Sequence, residues 1–354
     1  MADVRLVIDG VAFLGWQEVS VVRSIEALAG RFTLRLTEMV PNPVPRGKSC
    51  ELYLEGKLII SGFIYTAQVN VTDNRHTLNI SGRDKTGDLV DADALVLSQE
   101  LIDVTLRQVV ELLTEPFGIP CIFETDPPEK FKKFSFQQES AFEAIERACR
   151  MRGVFATSDE NGNVVVRNYG ATRSETGVTM GVNVLSAEAG YDDTDRFSLY
   201  QVYGQQPGTD GVSAAEAAGP SGQARDAGIT RYRPKLIIAE AAVDSGLAQK
   251  RAEWEAAVRA ARAVSCTVQV AGWTHESGEL WRENQIVSAK LPHHGIFGDM
   301  LIKEIAYSLN DNEGTRTTMQ LVRPDAYTKQ PDLEAENLGK DGEGAGTIVP
   351  VYYT

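Results

Sequence analysis

Leu58–Asp93, with the sequence LIISGFIYTAQVNVTDNRHTLNISGRDKTGDLVDAD, decides the fold because it has the pattern of a β-hairpin that recurs near the other end of the chain. Phe63–Asn74 (FIYTAQVNVTDN) aligns with Leu301–Asn312 (LIKEIAYSLNDN). After a longer second turn, Thr318–Asp325 (TMQLVRPD) aligns with Thr77–Asp84 (TLNISGRD). Both first strands end at Asp-Asn, a dipeptide that tolerates the backbone conformation of a tight turn. The sequence therefore predicts two related β domains.

Alternation within the two first strands predicts which residues face the core. The apolar face of the first copy consists of Phe63, Tyr65, Ala67, Val69 and Val71. The second copy holds the same pattern at Leu301, Ile305, Tyr307 and Leu309, with Lys303 as the exception. Two unrelated amphipathic hairpins can look alike, but the shared turn, the shared pattern and a shared closing Arg/Asp pair favour a duplication.

The predicted fold class is a β-rich α+β protein with two related antiparallel β-barrel domains, a small α/β insertion and a C-terminal tail. Short strands with tight turns place the first barrel at residues 1–93. Helical spacing and a capping box at Ser140–Glu143 place the insertion at 94–180. The second barrel, 181–327, includes a helix at 245–262 and a mobile loop at 205–229, which is rich in Gly, Ala, Ser and Pro. Residues 328–354 are predicted to be a flexible tail.

Composition excludes several classes of function. The net charge of −14 argues against specific nucleic-acid binding, which needs a basic patch, and leaves open a channel through which DNA passes without being held. No apolar run approaches the roughly 20 residues of a membrane span, so no membrane insertion is expected. Val4–Ile8 already alternates as a strand, which predicts no signal peptide and synthesis and assembly in the cytoplasm.

Neither a cofactor nor a metal is predicted. The four cysteines are scattered without a CxxC pair, and the adjacent His293 and His294 point to opposite sides of an extended chain. Paired carboxylates such as Asp192-Asp193, or Glu276 with Glu279, could resemble a glycosidase pair, but 49 acidic residues make such coincidences common. We therefore expect no enzyme activity.

The densest polar motif is Ser81–Leu89, SGRDKTGDL. It has two interpretations. In the first it is a structural turn, with Arg83 paired to a carboxylate and with Asp84 or Asp88 capping the backbone. In the second it is a subunit contact through Arg83, Asp84 and Lys85.

The C-terminal tail offers a second candidate contact. Gly339–Gly346 is a flexible acidic linker, and the chain then ends in a β-prone apolar stretch. The candidate contact residues are Ile348, Val349, Val351, Tyr352 and Tyr353. They could dock on an adjacent subunit or on a partner protein, or they could form a frayed terminus.

Four segments carry a resemblance to a known family: Ser24–Phe32 (SIEALAGRF), Ile80–Asp91 (ISGRDKTGDLVD), Ile229–Glu240 (ITRYRPKLIIAE) and Gly272–Val287 (GWTHESGELWRENQIV). In order and spacing they resemble the baseplate hub protein of Mu-like contractile-tailed bacteriophages. The resemblance spans most of Val4–Asp325.

This resemblance implies a structural virion protein of the phage tail baseplate that has no catalytic residues and forms a homotrimer. Each subunit would supply two similar barrels, so that three chains form a ring of six that adapts the sixfold tail tube to the threefold central spike. The implied partners are further copies of the chain, the central spike protein, the tail tube and the baseplate wedge proteins. The alternatives are a tail-associated cell-wall hydrolase, which needs a deep polar pocket, and a carbohydrate-binding module, which needs exposed Trp on a flat face.

Overall fold

The computed structural model describes residues 3–37, 47–73, 75–96, 98–204, 221–238 and 245–328. These residues are mostly β-structure with few helices. The strands are β1 (Val4–Ile8), β2 (Val11–Phe13), β3 (Glu18–Ser24), β4 (Arg31–Leu36), β5 (Ser49–Leu54), β6 (Lys57–Thr72), β7 (Arg75–Asp84), β8 (Glu100–Val104), β9 (Cys121–Phe123), β10 (Phe131–Ser135), β11 (Phe155–Ser158), β12 (Val164–Arg167), β13 (Thr172–Arg173), β14 (Val178–Thr179), β15 (Val184–Tyr191), β16 (Leu199–Tyr203), β17 (Ser221–Arg225), β18 (Pro234–Ile238), β19 (Val264–Ala271), β20 (Gln285–Leu291), β21 (Ile296–Asn310) and β22 (Gly314–Val322). The helices are α1 (Gly87–Asp91), α2 (Leu106–Thr114), α3 (Ala141–Arg152) and α4 (Ser245–Arg262).

One continuous sheet joins the N-terminal and C-terminal parts of the chain. Its order is β15-β19-β22-β21-β3-β4-β7-β6-β5-β1-β2, and β20 pairs with β21, β13 and β14. The two parts meet where β3 pairs antiparallel with β21, with Val19 opposite Leu309. The core under this sheet draws on both parts, because Leu34 and Leu52 share one apolar cluster with Ile305. Full burial of each such side chain stabilises the fold by about 1.5–3 kcal/mol.

The strand order of the first part recurs in the second. The neighbours β3-β4-β7-β6-β5 correspond to β15-β19-β22-β21-β20, and every pair within both sets is antiparallel. We call these two strand sets the first and second β halves.

A β-bulge occurs at the same aligned position in both hairpins. The pairing shifts between Ile64 and Thr66 in β6, and between Ile302 and Glu304 in β21. The bulge explains why Lys303 breaks the alternation, since it is the extra residue. It also corrects the predicted core face of β6: Ile64 is buried before the bulge, whereas Tyr65 is exposed.

Beyond the bulge, Ala67 still packs against the shared core, but the apolar side chains farther along β6 are exposed in the described structure. Val69 and Val71, both predicted to be buried, are 55% and 63% exposed. The alternation places both side chains on one apolar face of the strand, but it does not show whether another element packs on that face.

The observed pairing of β7 with β6 and of β22 with β21 shifts the alignment of the two second strands by two residues. Ile80 lies opposite Ala67 and Met319 lies opposite Ile305, so Ile80 corresponds to Met319 rather than to Leu321. Consequently Asp84 corresponds to Arg323, and the closing Arg/Asp pairs are not equivalent. The second turn is only one residue longer than the first, which the alignment overestimated.

The insertion between the β halves has its own core. α2 and α3 pack with two small sheets, β10-β8 and β11-β12-β9. The capping box of α3 is present, with Glu143 N donating to Ser140 Oγ at 3.2 Å and Ser140 N donating to Glu143 Oε2 at 2.7 Å. An equivalent box at Thr105 begins α2.

A second compact unit comprises the described residues of Asp192–Ala263 together with Thr328. Its sheet, β17-β16-β18, packs on α4. This corrects the assignment of its strands to the second barrel. It also corrects the predicted loop at 205–229, because Ser221–Arg225 forms β17, while 205–220 lies outside the described residues. The polar sequence of β17 (SGQAR) lacks an apolar alternation. The helix at 245–262 agrees with the prediction.

Candidate functional site

The first candidate is a buried ionic cluster centred on Arg23 of β3. Arg23 is 3% exposed, and its Nε donates to Glu283 Oε1 at 2.8 Å. Its Nη1 donates to Ile59 O at 3.2 Å, and its Nη2 donates to Ser158 O. Arg23 and Ile59 belong to the first β half, Ser158 to the insertion, and Glu283 precedes β20 of the second half. One guanidinium therefore joins three parts of the chain.

Asp84, at the end of β7, completes the cluster. Its side chain is fully buried and accepts hydrogen bonds from Gly30 N at 2.7 Å, from Ser158 Oγ at 2.6 Å and from Thr86 N at 3.1 Å. The Thr86 hydroxyl also donates to it. The carboxylate thus fixes the turn into α1 and holds the strand β11 of the insertion.

The electrostatics of the cluster balance burial against pairing. Burial raises the pKa of Asp84, although the Arg23 charge and the hydrogen bonds from Ser158 and Thr86 oppose the rise. For Glu283, burial also favours the neutral acid, but the charge and hydrogen bond of Arg23 prevail and lower the pKa. A buried ion pair of this kind is costly to break, because one partner is left charged without compensation.

The structure favours the structural-turn interpretation of the SGRDKTGDL motif. Arg83 forms an ion pair with Asp91 and lies over the Tyr65 ring, 4.7 Å from its centroid. Lys85 Nζ donates to Asn161 O at 3.1 Å. The expectation that Asp84 contacts another subunit is corrected, because its side chain is buried among partners within the chain.

Arg83 and Lys85 remain partly exposed, so their subunit contact stays a prediction. The tail candidates Ile348, Val349, Val351, Tyr352 and Tyr353 lie outside the described residues.

Sequence reasoning missed three side chains of the cluster, those of Arg23, Ser158 and Glu283. Arg23 is 260 residues from Glu283 and 135 residues from Ser158, so no local motif connects them. One signal was available: Arg23 continues the inward-facing positions of Val19 and Val21, both of which are buried. A charged residue in that alternation predicts a buried ionic partner.

One carboxylate of each pair considered for hydrolysis, Asp192 and Glu279, lacks the environment of a general acid. Hydrogen bonds from Thr194 hold the pKa of Asp192 below its usual value, and a hydrogen bond from Lys57 does the same for Glu279. A glycosidase acid instead needs a raised pKa.

A cavity of about 250 Å³ in the second unit is lined by Arg251, Glu255 and Arg259 among others. Within this cavity, Glu255 accepts hydrogen bonds from both Arg251 and Arg259, so its charge is paired within the chain.

The four tryptophans do not form a sugar-binding face. Trp16, Trp273 and Trp281 are buried, and Trp254 is half-buried with its Nε1 donating to Thr328 O at 2.8 Å. The carbohydrate-binding alternative requires exposed rings on a flat surface, so this placement argues against it.

Within the described ranges, no group of three or more His, Cys, Asp or Glu side chains could hold a metal ion. Burial raises the pKa of Cys50 and Cys149 to about 12 and that of Cys266 to about 11, so these thiols stay protonated at neutral pH. None of the helices in the described part of the chain is long and apolar enough to cross a membrane.

The duplicated β fold, whose buried charges join its own parts, fits a structural protein. Three family models agree with this class. Residues 3–84 match "Mu phage baseplate assembly protein GpP-like, N-terminal", residues 86–168 match "Baseplate hub protein gp44-like, second domain", and residues 244–330 match "Mu phage baseplate assembly protein GpP, fourth domain".

Individual relatives cover nearly the whole chain. The baseplate hub protein gp44 of Escherichia phage Mu is 31% identical over 366 residues, which is 99% of this chain and 96% of that protein. The chain belongs to this family of Mu-like baseplate hub proteins, and it is a structural protein of the phage tail.

Solved structures show the same fold. The 43 kDa tail protein of prophage MuSo2 from Shewanella oneidensis is 29% identical with a TM-score of 0.81, covering 92% of this chain and 99% of that one. The tail protein from Neisseria meningitidis MC58 is 21% identical with a TM-score of 0.76, covering 94% and 99%.

Proposed function

We propose that three copies of the chain form a baseplate ring of six related β domains that adapts a sixfold tail tube to a threefold central spike. The observation that carries this proposal is the strand order shared by the first and second β halves. A closed interface between identical subunits cannot join six partners to three, whereas three copies of a duplicated chain can.

Each half is proposed to close as an antiparallel barrel. In the sheet order β1 and β2 extend the first half beyond β5, and β2 is joined to the first strand of that half, β3, by residues 14–17. In the second half β14 pairs with β20 and is joined to the first strand, β15, by residues 180–183. Each connection covers five residue steps, at most about 18 Å, so in both halves the end of the last strand lies close to the start of the first.

The proposed partners are further copies of the chain, the central spike protein, the tail tube and the baseplate wedge proteins, with assembly in the host cytoplasm. No enzyme activity is proposed, since the family is structural and the pKa values of Asp192 and Glu279 are lowered. Clearing of peptidoglycan that a single Asp or Glu substitution abolishes would contradict this.

Light scattering of the purified chain tests the ring. The subunit mass is 38.7 kDa, and we expect three times that mass, together with a six-lobed ring in averaged electron micrographs. A mass that stays at one subunit across the concentration range, or a ring without six lobes, would overturn the proposal.

A further inference from the structure

The long strand β21 pairs with two strands in succession along one edge. β22 lies along its other edge. On the first edge, β20 pairs with Ile296–Leu301, and β3 then pairs with residues 304–309. The outer part of β21 in the second half is therefore completed by a strand from the first half.

β6 is the counterpart of β21, but only part of its corresponding edge is paired. β5 pairs with β6 as far as Phe63, whereas among the described residues the stretch 66–72 pairs with β7 alone. Val69 and Val71 in this stretch are 55% and 63% exposed. Their counterparts Tyr307 and Leu309, which lie opposite residues of β3, are fully buried and half-buried.

β15 is the counterpart of β3, and it has the matching free edge. One edge of β15 pairs with β19. Along residues 185–191 no other described strand pairs with its second edge, which makes only an isolated bridge at Val184. An unpaired edge presents a row of backbone donors and acceptors that can template another strand.

We propose that β15 of one copy pairs antiparallel with residues 66–71 of β6 in a neighbouring copy, repeating between chains the β3–β21 contact seen within each chain. The proposal rests on the proposed ring and supplies its subunit contact. Each copy offers one donor strand and one acceptor edge, so the contact is head-to-tail and can close into a ring. In a ring of three chains, three such contacts lie within chains and three lie between them.

The internal contact fixes the residue pairing. Val19 lies opposite Leu34, and Ala187 lies opposite Val268. Leu34 lies opposite Ile80, and Val268 lies opposite Met319, which is the counterpart of Ile80. Leu34 therefore corresponds to Val268, and Val19 corresponds to Ala187.

Transferring the observed pairs Leu309–Val19 and Tyr307–Val21 to the interface places Val71 opposite Ala187 and Val69 opposite Ala189. Both valines would then lie beside a paired strand, as their counterparts do within the chain.

Cysteine cross-linking tests this pairing. Residues directly opposite in antiparallel strands have Cβ atoms about 4.5–5.5 Å apart, within reach of oxidation or of a short bifunctional thiol reagent. We expect Val69→Cys with Ala189→Cys to give covalent dimers and trimers on a denaturing gel. The matched control, Gln68→Cys with Ala189→Cys, places the thiols on opposite faces and should stay monomeric on the gel. Val71→Cys with Ala187→Cys repeats the test two residues along.

A second pair of variants tests the association of subunits without covalent cross-linking. Val69→Lys should lower the mass measured by light scattering to that of one chain, whereas Ile102→Lys on β8, where Ile102 is 65% exposed, should leave the mass unchanged.

The outcomes separate the pairing from the ring. A trimer in which neither cysteine pair cross-links, or in which the control cross-links equally, overturns the strand pairing and leaves the ring standing. A chain that stays monomeric at every concentration and never cross-links overturns both.

Discussion

At the scale of single residues, Arg23 is the side chain on which the joined parts depend most. It compensates Glu283 directly and faces Asp84, so its removal leaves two acidic groups in a dry interior. We expect Arg23→Ala to lower the free energy of unfolding by about 3–5 kcal/mol, measured by urea denaturation. The matched control is Arg35→Ala, which breaks the exposed pair with Glu18 and should cost less than about 1 kcal/mol. Equal costs for the two variants would contradict a central role for Arg23.

The pKa of Glu283 predicts a dependence of stability on pH. Because the folded-state pKa lies below the unfolded value, the ionised carboxylate stabilises the fold fully above the unfolded pKa of about 4.3. That contribution is lost as the pH falls through the lowered folded pKa. The difference in unfolding free energy between the wild type and Glu283→Gln should therefore be largest near neutral pH and shrink in acid. A difference that stays constant from pH 7 to pH 3 would show that Glu283 is not ionised in the fold.

Whether the contacts of these residues can be predicted from the sequence depends on how far apart the partners lie along the chain. The structural turn at SGRDKTGDL is one of the two interpretations that the sequence predicts. It can be predicted because the hydrogen bonds from Thr86 to the Asp84 carboxylate are local in sequence. The partners Gly30, Ser158 and Arg23 could not be predicted, since folding alone brings them together. Alternation located the strands well, but it could not show that the side chains of Val69 and Val71 are exposed in the described structure.

At the scale of elements, the contact of β17 with α4 depends on one glycine. A Cβ atom on Gly222 would lie 2.1 Å from Gln249 N and 2.3 Å from Ala248 C, and helix backbone cannot move aside cheaply. We expect Gly222→Ala to destabilise the second compact unit by about 1–3 kcal/mol, seen as earlier proteolysis within residues 192–263. Ser221→Ala on the same strand is the control, and it should leave the proteolysis rate unchanged. Equal rates for Gly222→Ala and the wild type would show that the close packing is not required.

The C-terminal segment is a second element whose role can be tested. Thr347–Thr354 carries the apolar residues of the predicted contact, and such a segment is costly to leave in water. If it docks on a neighbouring subunit or on the spike, its deletion should weaken trimer formation or spike binding, measured by light scattering and pull-down. Deletion of 339–346 alone shortens the linker and keeps the apolar residues, which makes it the matched comparison. Unchanged trimer and unchanged spike binding after deletion of Thr347–Thr354 would refute the docking.

At the scale of the whole molecule, the proposed assembly rests on the duplication. Within the chain β3 of the first half pairs with β21 of the second half, whereas among the described residues one edge of β15 and one edge of β6 along residues 66–71 have no partner strand. In the proposed ring, a neighbouring copy would supply the partner of each such edge. This asymmetry follows from strand pairing and is invisible in a list of apolar residues, since the exposed and the covered hairpins have similar sequences.

Net charge sets the last expectation for the whole molecule. A chain with 49 acidic and 35 basic residues carries a net charge of −14 that repels phosphate backbones, and binding that depends on phosphate contacts needs a basic patch. We expect the protein at micromolar concentration to leave the mobility of duplex DNA unchanged at physiological salt, as suits a channel that lets DNA pass without holding it. Lowering the salt separates the possible outcomes, because it strengthens contacts to phosphates and leaves a repulsive surface without affinity. A mobility shift that weakens steeply as salt is added would reveal a local basic surface that the net charge conceals, and it would contradict a lumen that does not retain DNA.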